Sequence, residues 1–165
     1  MEVLRLGRES DALVEVLDLI RRAFTEMEGR IDPPSSMHSL DEGKLRDLAL
    51  VGEVWGAGQP VRACMILTPR ADHLYLGKLA VDARYRGQGL ARRLCELAED
   101  RARALGLGWV KLEVRVELTE NHALFERMGF KKVAETAHAG YARPTSLTFA
   151  KSVECQSERP GSSKR

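Results

Sequence analysis

The sequence predicts a single mixed α/β (α+β) domain built around one sheet, and three observations indicate this. An apolar run at Leu74–Val81 leads through a glycine-bearing turn into residues whose apolar positions repeat at helical spacing. A second run with strict alternation follows at Trp109–Val116, so the helix between them is a crossover and the two strands should be parallel. Earlier in the chain, Ala57-Gly58-Gln59 joins two apolar runs as an antiparallel hairpin. We therefore expect a sheet of mixed strand direction flanked by helices.

The other elements follow from periodicity, helix caps and turn residues. Ser10 or Asp11 is expected to cap the first helix, and Thr119 the last one. The predicted strands are Val3–Leu6, Glu53–Gly56, Pro60–Thr68, Leu74–Val81, Trp109–Val116, Phe130–Thr136 and Ser146–Ala150. The predicted helices cover Leu13–Phe24, Leu40–Leu50, Leu90–Leu105 and Glu120–Met128. The last two strands should form an antiparallel pair at one end of the sheet.

Composition restricts the class of protein and of partner. With 165 residues, 44% of them hydrophobic and 30% charged, the chain can bury one core and is globular. A net charge of +2 is too small to indicate nucleic-acid binding. No apolar run could span a membrane and no signal-peptide pattern follows Met1, so we expect a cytoplasmic protein without nucleic-acid or membrane partners. The domain should cover residues 1–153, and the polar residues 154–165 are expected to be disordered.

The cysteines indicate reduced thiols rather than disulfides or a metal site. Their number is odd, and Cys64, Cys95 and Cys155 have no metal-ligand spacing. An odd set without pairing is typical of the reducing cytosol. We therefore expect no bound metal.

The glycine turn is the strongest chemical signal in the chain. Gly87 and Gly89 have no Cβ, so the backbone there can turn sharply and a ligand can approach it closely. A helix that begins directly after such a turn presents free N–H groups and the positive end of its dipole, which suits phosphate. Arg84, Arg86 and Arg92 add fixed positive charge. The alternative is a strand-to-helix corner whose glycines serve packing and whose arginines are solvated.

Two common phosphate loops are excluded, and a third kind remains. No Gly-Lys-Ser/Thr follows the turn, and Arg92 replaces the third glycine of the dinucleotide fingerprint. The segment Arg86-Gly-Gln-Gly-Leu-Ala91 resembles the acetyl-CoA signature of the GNAT family of N-acetyltransferases. A second segment, Asn121 to Phe130, resembles the family helix that starts with asparagine and ends in Tyr-x-x-x-Gly-Phe. The order of elements along nearly the whole chain is similar to that of the family.

The resemblance implies a fold and a cosubstrate. The family fold has a mostly antiparallel sheet in which a bulged strand splays away from its parallel neighbour, and Gly77 lies where such a bulge is expected. Acetyl-CoA would lie in the resulting gap as cosubstrate. The residues implied to bind it are Leu79, Ala80, Val81, Arg84, Arg86, Gly87, Gln88, Gly89, Leu90, Ala91, Arg92, Asn121 and Phe125.

The implied reaction is direct attack of a neutral amine on the acetyl thioester. The backbone near Leu79 is the expected oxyanion donor. For proton transfer we consider Glu113, Tyr75 and His73, with a base acting through water as an equal alternative. The tyrosine that protonates the thiolate in many family members is here Phe125, so that general acid is absent. A catalytically weak or inactive acyl-CoA-binding module of the same fold is therefore the alternative function.

The acceptor is expected opposite the cofactor, between the loops Arg30–His38 and Ala137–Thr145. Asp32 could pair with a cationic acceptor, and Tyr141 offers an apolar face and a hydroxyl. The alternative is that both residues are structural. Glu113, Arg115 and Glu117 form a solvated strand face unless the acceptor site covers them. We expect a small-molecule or peptide amine as partner, and a monomer or homodimer.

Overall fold

One seven-stranded sheet organises the fold, in a computed structural model that describes residues 1–35 and 39–153. The strand order is β1-β2-β3-β4-β5-β7-β6, and β4–β5 is the one parallel pair in it. The strands are β1 (Val3–Leu6), β2 (Glu53–Ala57), β3 (Ala63–Pro69), β4 (Leu74–Val81), β5 (Trp109–Arg115), β6 (Lys131–Thr136) and β7 (Ser146–Ser152). This confirms the predicted mixed, mostly antiparallel sheet. His38 and the predicted disordered tail at 154–165 lie outside the described residues.

Within the described residues four α-helices cover the two faces of the sheet, and the sequence predicted all four. They are α1 (Ala12–Thr25), α2 (Glu42–Val51), α3 (Leu90–Ala104) and α4 (Thr119–Arg127). The helices α1 and α2 bury their apolar sides on one face, around Val16, Leu45 and Ile66. The helices α3 and α4 cover the other face, around Leu94 and Phe125. No helix in the described ranges is long and apolar enough to cross a membrane.

Local hydrogen bonds shift two of the predicted boundaries. The strand predicted from Pro60 begins at Ala63, because the Arg62 N–H donates to Ala57 O at 2.7 Å and closes a wider turn. The sequence predicts Thr119 as a helix cap, but Thr119 is the first residue of α4 and no side chain caps this end. Leu118 holds the start of α4 instead, since it is buried in the core.

The bulge expected beside Gly77 is present and begins one residue later. In the β3–β4 ladder Ile66 faces Gly77 and Cys64 faces Ala80, so Met65 alone faces two residues, Lys78 and Leu79. Lys78 has a φ of 52°, in the left-handed region that non-glycine residues rarely adopt. An extra residue on one strand bends that strand and breaks its ladder.

The parallel pair is splayed, as the resemblance implies. The strands β4 and β5 pair only at Leu74–Val110 and Tyr75–Lys111. Beyond Tyr75, β4 stays paired with β3 while β5 stays paired with β7. The gap between β4 and β5 therefore opens toward the carboxyl end of β4, where the bulge and the glycine turn lie.

Candidate active site

The glycine turn presents an open backbone surface at the start of α3. Gly87 and Gly89 have φ values of 78° and 81°, and Gly89 is the N-cap residue of the helix. A Cβ built on either glycine would meet no atom within 4 Å. The glycines are therefore needed for backbone conformation and not for packing, which argues against the packing alternative. The first bond within the helix joins the Arg93 N–H to Gly89 O, so the preceding N–H groups face outward for an anion.

A buried carboxylate anchors the segment between β4 and the glycine turn. The Asp82 side chain is 2% exposed, and it accepts hydrogen bonds from the Arg84 backbone N–H at 3.0 Å and guanidinium at 3.2 Å. Arg22 on α1 and Arg62 lie 3.6 and 3.7 Å from the same carboxylate. The Arg84 hydrogen bonds hold the pKa of Asp82 far below its usual range, with the other positive charges adding to the effect. Arg84 is thus primarily a structural partner of Asp82, with its outer surface exposed.

Arg86 links the turn to the end of α1. Its guanidinium donates to Glu26 at 2.8 Å and to Val81 O at 3.3 Å. A cleft of about 390 Å³ lies beside this contact, between the end of α1 and the chain after β4. Arg22, Asp82 and Arg86 are among its lining residues. To bind a cofactor phosphate, the Arg86 guanidinium would have to release Glu26 or contact both groups at once.

The other predicted cofactor residues form a continuous path from the bulge into α3. Ala80 and Leu90 are buried, so they could contribute only backbone groups, while Arg92 is fully exposed. Leu79, Val81 and Ala91 are half-buried, and Gln88 is exposed beside the two glycines. This arrangement suits a ligand that runs along the chain from the gap to the helix N-terminus.

The two α4 residues expected to bind cofactor differ in exposure. Asn121 is half-buried in the first turn of α4. Phe125 is 7% exposed and packs edge-to-face on Phe130, with ring centroids 5.9 Å apart. His122 is half-buried, and its Nε2 lies 2.9 Å from Arg115 O. The start of α4 is therefore tied to the end of β5.

Tyr75 and Glu113 are close together on the α1/α2 side of the sheet. Tyr75 pairs with Lys111, and Glu113 follows on the same face of β5. Burial raises the pKa of Tyr75 to about 12, and the negative charge of Glu113 adds to the rise. Tyr75 therefore stays a neutral phenol at physiological pH and can donate a hydrogen bond, while the exposed Glu113 is the group available as a base.

His73, a candidate for proton transfer, lies outside the strand that carries Tyr75. It lies one residue before β4, and its Nδ1 is 2.7 Å from the Asp72 carboxylate. The Arg70 N–H donates to His73 O at 2.8 Å, which turns the chain before the strand begins. His73 is thus at the opposite end of β4 from the bulge and the glycine turn.

Asp32 and Tyr141 are brought together from loops 109 residues apart, as the acceptor expectation requires. The Tyr141 hydroxyl donates to Asp32 Oδ1 at 2.6 Å, and Arg143 lies 3.3 Å from Oδ2. The hydrogen bond to Asp32 raises the pKa of Tyr141. Both carboxylate oxygens of Asp32 are therefore already occupied by groups of the chain.

Arg115 and Glu117, at the end of β5, hold the loop after α1, a role that the sequence analysis did not assign to them. Arg115 donates to Pro33 O at 2.5 Å and to Pro34 O at 3.1 Å. Glu117 accepts the Asp32 N–H at 3.2 Å through Oε2, while its Oε1 is buried without a partner among residues 1–35 and 39–153. The loop after α1 thus covers Arg115 and Glu117, whereas Glu113 on the same face of β5 stays exposed. The alternation of charged residues along β5 was the signal available, but only the fold shows what covers them.

The thiols in the described part of the chain are not reactive groups. Cys64 and Cys95 are buried and free, and burial raises the pKa of each thiol to about 12. The residues described contain no group of His, Cys, Asp and Glu side chains arranged to hold a metal ion.

Comparison with known proteins identifies the family. The profile of the Acetyltransferase (GNAT) family matches residues 13–130, and the chain belongs to this family. This confirms the resemblance drawn from the glycine turn and from α4. Among solved structures, PaiA N-acetyltransferase from Thermoplasma acidophilum in complex with coenzyme A superposes with a TM-score of 0.76 at 16% identity. That match covers 92% of this chain and 98% of the other, and it shows that the two share a fold.

Two curated proteins are similar in sequence. N-alpha-acetyltransferase 30 of Saccharomyces cerevisiae is 41% identical over 56 residues, which cover 34% of this chain and 32% of the yeast protein. Mycothiol acetyltransferase of Beutenbergia cavernae is 31% identical over 140 residues, covering 78% of this chain and 43% of that protein. The chain therefore spans less than half the length of either relative.

Proposed function

We propose that the protein transfers an acetyl group from acetyl-CoA to a primary amine. The observation that carries this proposal is the open glycine turn at the wide end of the splayed strand pair. A pyrophosphate held by the N–H groups of Leu90 and Ala91 would direct the thioester arm into the gap, toward the bulge at Lys78–Leu79. The bulge lies on β4 and the glycine turn lies on the segment that connects β4 to α3, so one elongated ligand can reach both.

The chain's own groups would then position the amine and handle its proton. The backbone near Leu79, freed from the ladder by the bulge, is the proposed donor to the thioester oxygen. Glu113 is the proposed base, acting directly or through water, with Tyr75 as a neutral hydrogen-bond donor beside it. The amine must lose its proton, since an alkyl ammonium with a pKa of about 10.4 has no lone pair for attack.

The acceptor is proposed to enter between the loop after α1 and the loop between β6 and β7. The polar cluster of Asp32, Tyr141 and Arg143 lies there, and Arg115 and Glu117 fix its geometry. The names of the two curated relatives point to different acceptors, an α-nitrogen in one and mycothiol in the other. We therefore propose a peptide or small-molecule amine, without nucleic acid.

The same proposal covers the cell compartment and the oligomeric state. The buried free thiols of Cys64 and Cys95 fit a reducing cytoplasm. Residues 1–153 would act as a single domain, as a monomer or homodimer.

An inactive acyl-CoA-binding module is the second candidate function. It is favoured by Phe125, because no hydroxyl is available there to protonate the leaving thiolate. Binding of CoA without turnover of any amine would support this candidate.

The test combines binding with turnover. Calorimetric titration of CoA should give a dissociation constant for the unaltered protein and for Gly106→Val, and little or no binding for Gly89→Val. Gly106 is the matched control because its φ is 75°, and a Cβ there also meets nothing within 4 Å, but it lies at the far end of α3. Release of free thiol from acetyl-CoA with a panel of amines then identifies the acceptor. Unchanged CoA affinity in folded Gly89→Val contradicts the proposed cofactor site.

A further inference from the structure

Lys78 is one of the two bulge residues that face Met65, and it directly precedes Leu79, the proposed backbone donor to the thioester oxygen. Its φ of 52° and its place opposite Met65 show that the bulge itself positions the side chain. The bulge interrupts the alternation of β4: Leu79 faces the α3 cluster, while the Lys78 amine lies over the Phe24 ring of α1, so the Lys78 side chain is on the α1/α2 side of the sheet. This is also the side on which Tyr75 and Glu113 meet.

Lys78 is partly buried and borders an open cleft. Its amine lies 5.4 Å from the centre of the Phe24 ring, and it makes no ion pair with any residue of the described ranges. It lines a cleft of about 360 Å³ together with Leu40, Lys44, Asp47 and Leu48 of the α2 region. Burial without an acidic partner lowers the pKa of Lys78, so more of this amine is neutral than of an exposed lysine.

We propose that Lys78 is itself an acetyl acceptor, so that the protein acetylates its own bulge when no external amine is bound. The inference rests on the proposed function, since the acetyl group would be held by the backbone of Leu79, the next residue. A four-carbon stem attached one residue away can bring Nζ to a thioester there. The Nζ lone pair forms a bond to the carbonyl carbon and the carbon–sulfur bond breaks. Nitrogen gives up one proton and CoA leaves as the thiol.

The proposed acetylation has an internal reference in the same molecule. Lys131 is exposed and reports the chemical reaction of any lysine with acetyl-CoA in solution. Lys44 lines the same cleft, but its Nζ donates to Ser39 O at 2.6 Å, and it reports whether the cleft alone promotes reaction. Proximity to a bound thioester distinguishes Lys78 from both.

The experiment follows acetylation of the intact protein in acetyl-CoA without added amine, using peptide mass spectrometry over time. We expect Lys78 to be acetylated at least about tenfold faster than Lys131 and Lys44, because its reaction takes place within one complex. Excess CoA should slow the reaction at Lys78 and leave Lys131 unchanged. Gly89→Val should lower the Lys78 rate to that of Lys131, whereas Gly106→Val should not.

Two results would overturn the inference. In a preparation that binds CoA by calorimetry, a Lys78 rate no higher than that of Lys131 contradicts it and leaves the proposed function standing. A Lys78 rate that excess CoA does not slow shows ordinary chemical acetylation and also contradicts it. A folded preparation that fails to bind CoA contradicts the proposed function and this inference together.

Discussion

At the residue scale, Phe125 lies where many family members have a tyrosine, and its ring is part of the core. We expect Phe125→Tyr to change kcat by less than about tenfold, against the hundredfold or more of a working general acid. The reason is that a thiol with a pKa of about 8.5 already leaves as a fair thiolate. Steady-state kinetics with the acceptor found by the amine screen checks this.

The same substitution has a stability control. Phe125 is 7% exposed, so a hydroxyl without a partner there should lower the free energy of unfolding by about 1–3 kcal/mol. A hundredfold gain in kcat would instead show that the missing acid limits the protein.

Asp32 and Tyr141 act as a pair, because each satisfies the other across two loops. We expect Asp32→Asn and Tyr141→Phe each to raise KM for the amine severalfold and to leave KM for acetyl-CoA unchanged. The double variant should be little worse than either single one, since both remove the same hydrogen bond. A double-mutant cycle on the two KM values measures this. Equal rises in both KM values, or a large fall in Tm, would assign the pair a structural role.

At the scale of elements, the corner between β4 and α3 depends on Asp82. The arginines around it depress its pKa, so its contribution to stability is complete above the unfolded-state pKa of about 3.9 and is lost as pH falls through the lower folded-state value. We expect Asp82→Asn to lower Tm at pH 7, with a difference from the unaltered protein that shrinks below about pH 4. Thermal unfolding at several pH values checks this.

The Asp82 variant also separates structure from binding. Because Arg84 loses its anchor, Asp82→Asn should weaken CoA binding more than Asp18→Asn, which removes an exposed partner of Arg22. A Tm difference that grows as pH falls would contradict the depressed pKa.

At the scale of the whole molecule, a buried ion pair joins α3 to the strand β2. Glu53 on β2 has a side chain 5% exposed, and Arg101 on α3 donates to both of its oxygens at 2.9 and 2.7 Å. Burial alone would raise the pKa of Glu53, but hydrogen bonds from Arg101 and Trp55 outweigh it and lower the pKa. These hydrogen bonds therefore keep the Glu53 side chain ionised.

Removing Arg101 should be costly, because it leaves a buried carboxylate without its main partner. We expect Arg101→Met to lower the free energy of unfolding by about 3 kcal/mol, and Arg101→Met with Glu53→Gln to recover part of that loss. Urea unfolding measures both. Arg103→Met is the matched control on the same helix: its nearest partner is exposed Asp100, and Glu99, 3.7 Å away, keeps its closer bond to Lys151, so this variant should cost less than about 1 kcal/mol. Equal losses for both arginines would contradict the role of the pair.

The sequence by itself determined the elements, the parallel crossover and the glycine turn. These depend on local rules: the apolar period chooses strand or helix, and a positive φ at Gly87 and Gly89 requires glycine whatever surrounds it. The bulge was also predictable from Gly77 to within one residue, and the family from two short motifs.

Tertiary structure decided which side chains meet. Asp32 is occupied because Tyr141 and Arg143 belong to a loop that only the sheet order places beside it. The position of Lys78 depends on the bulge, where β4 has one residue more than β3 in the pairing between them. Such contacts join residues far apart in the chain, so their charges, burial and hydrogen bonds exist only once the sheet has brought the segments together.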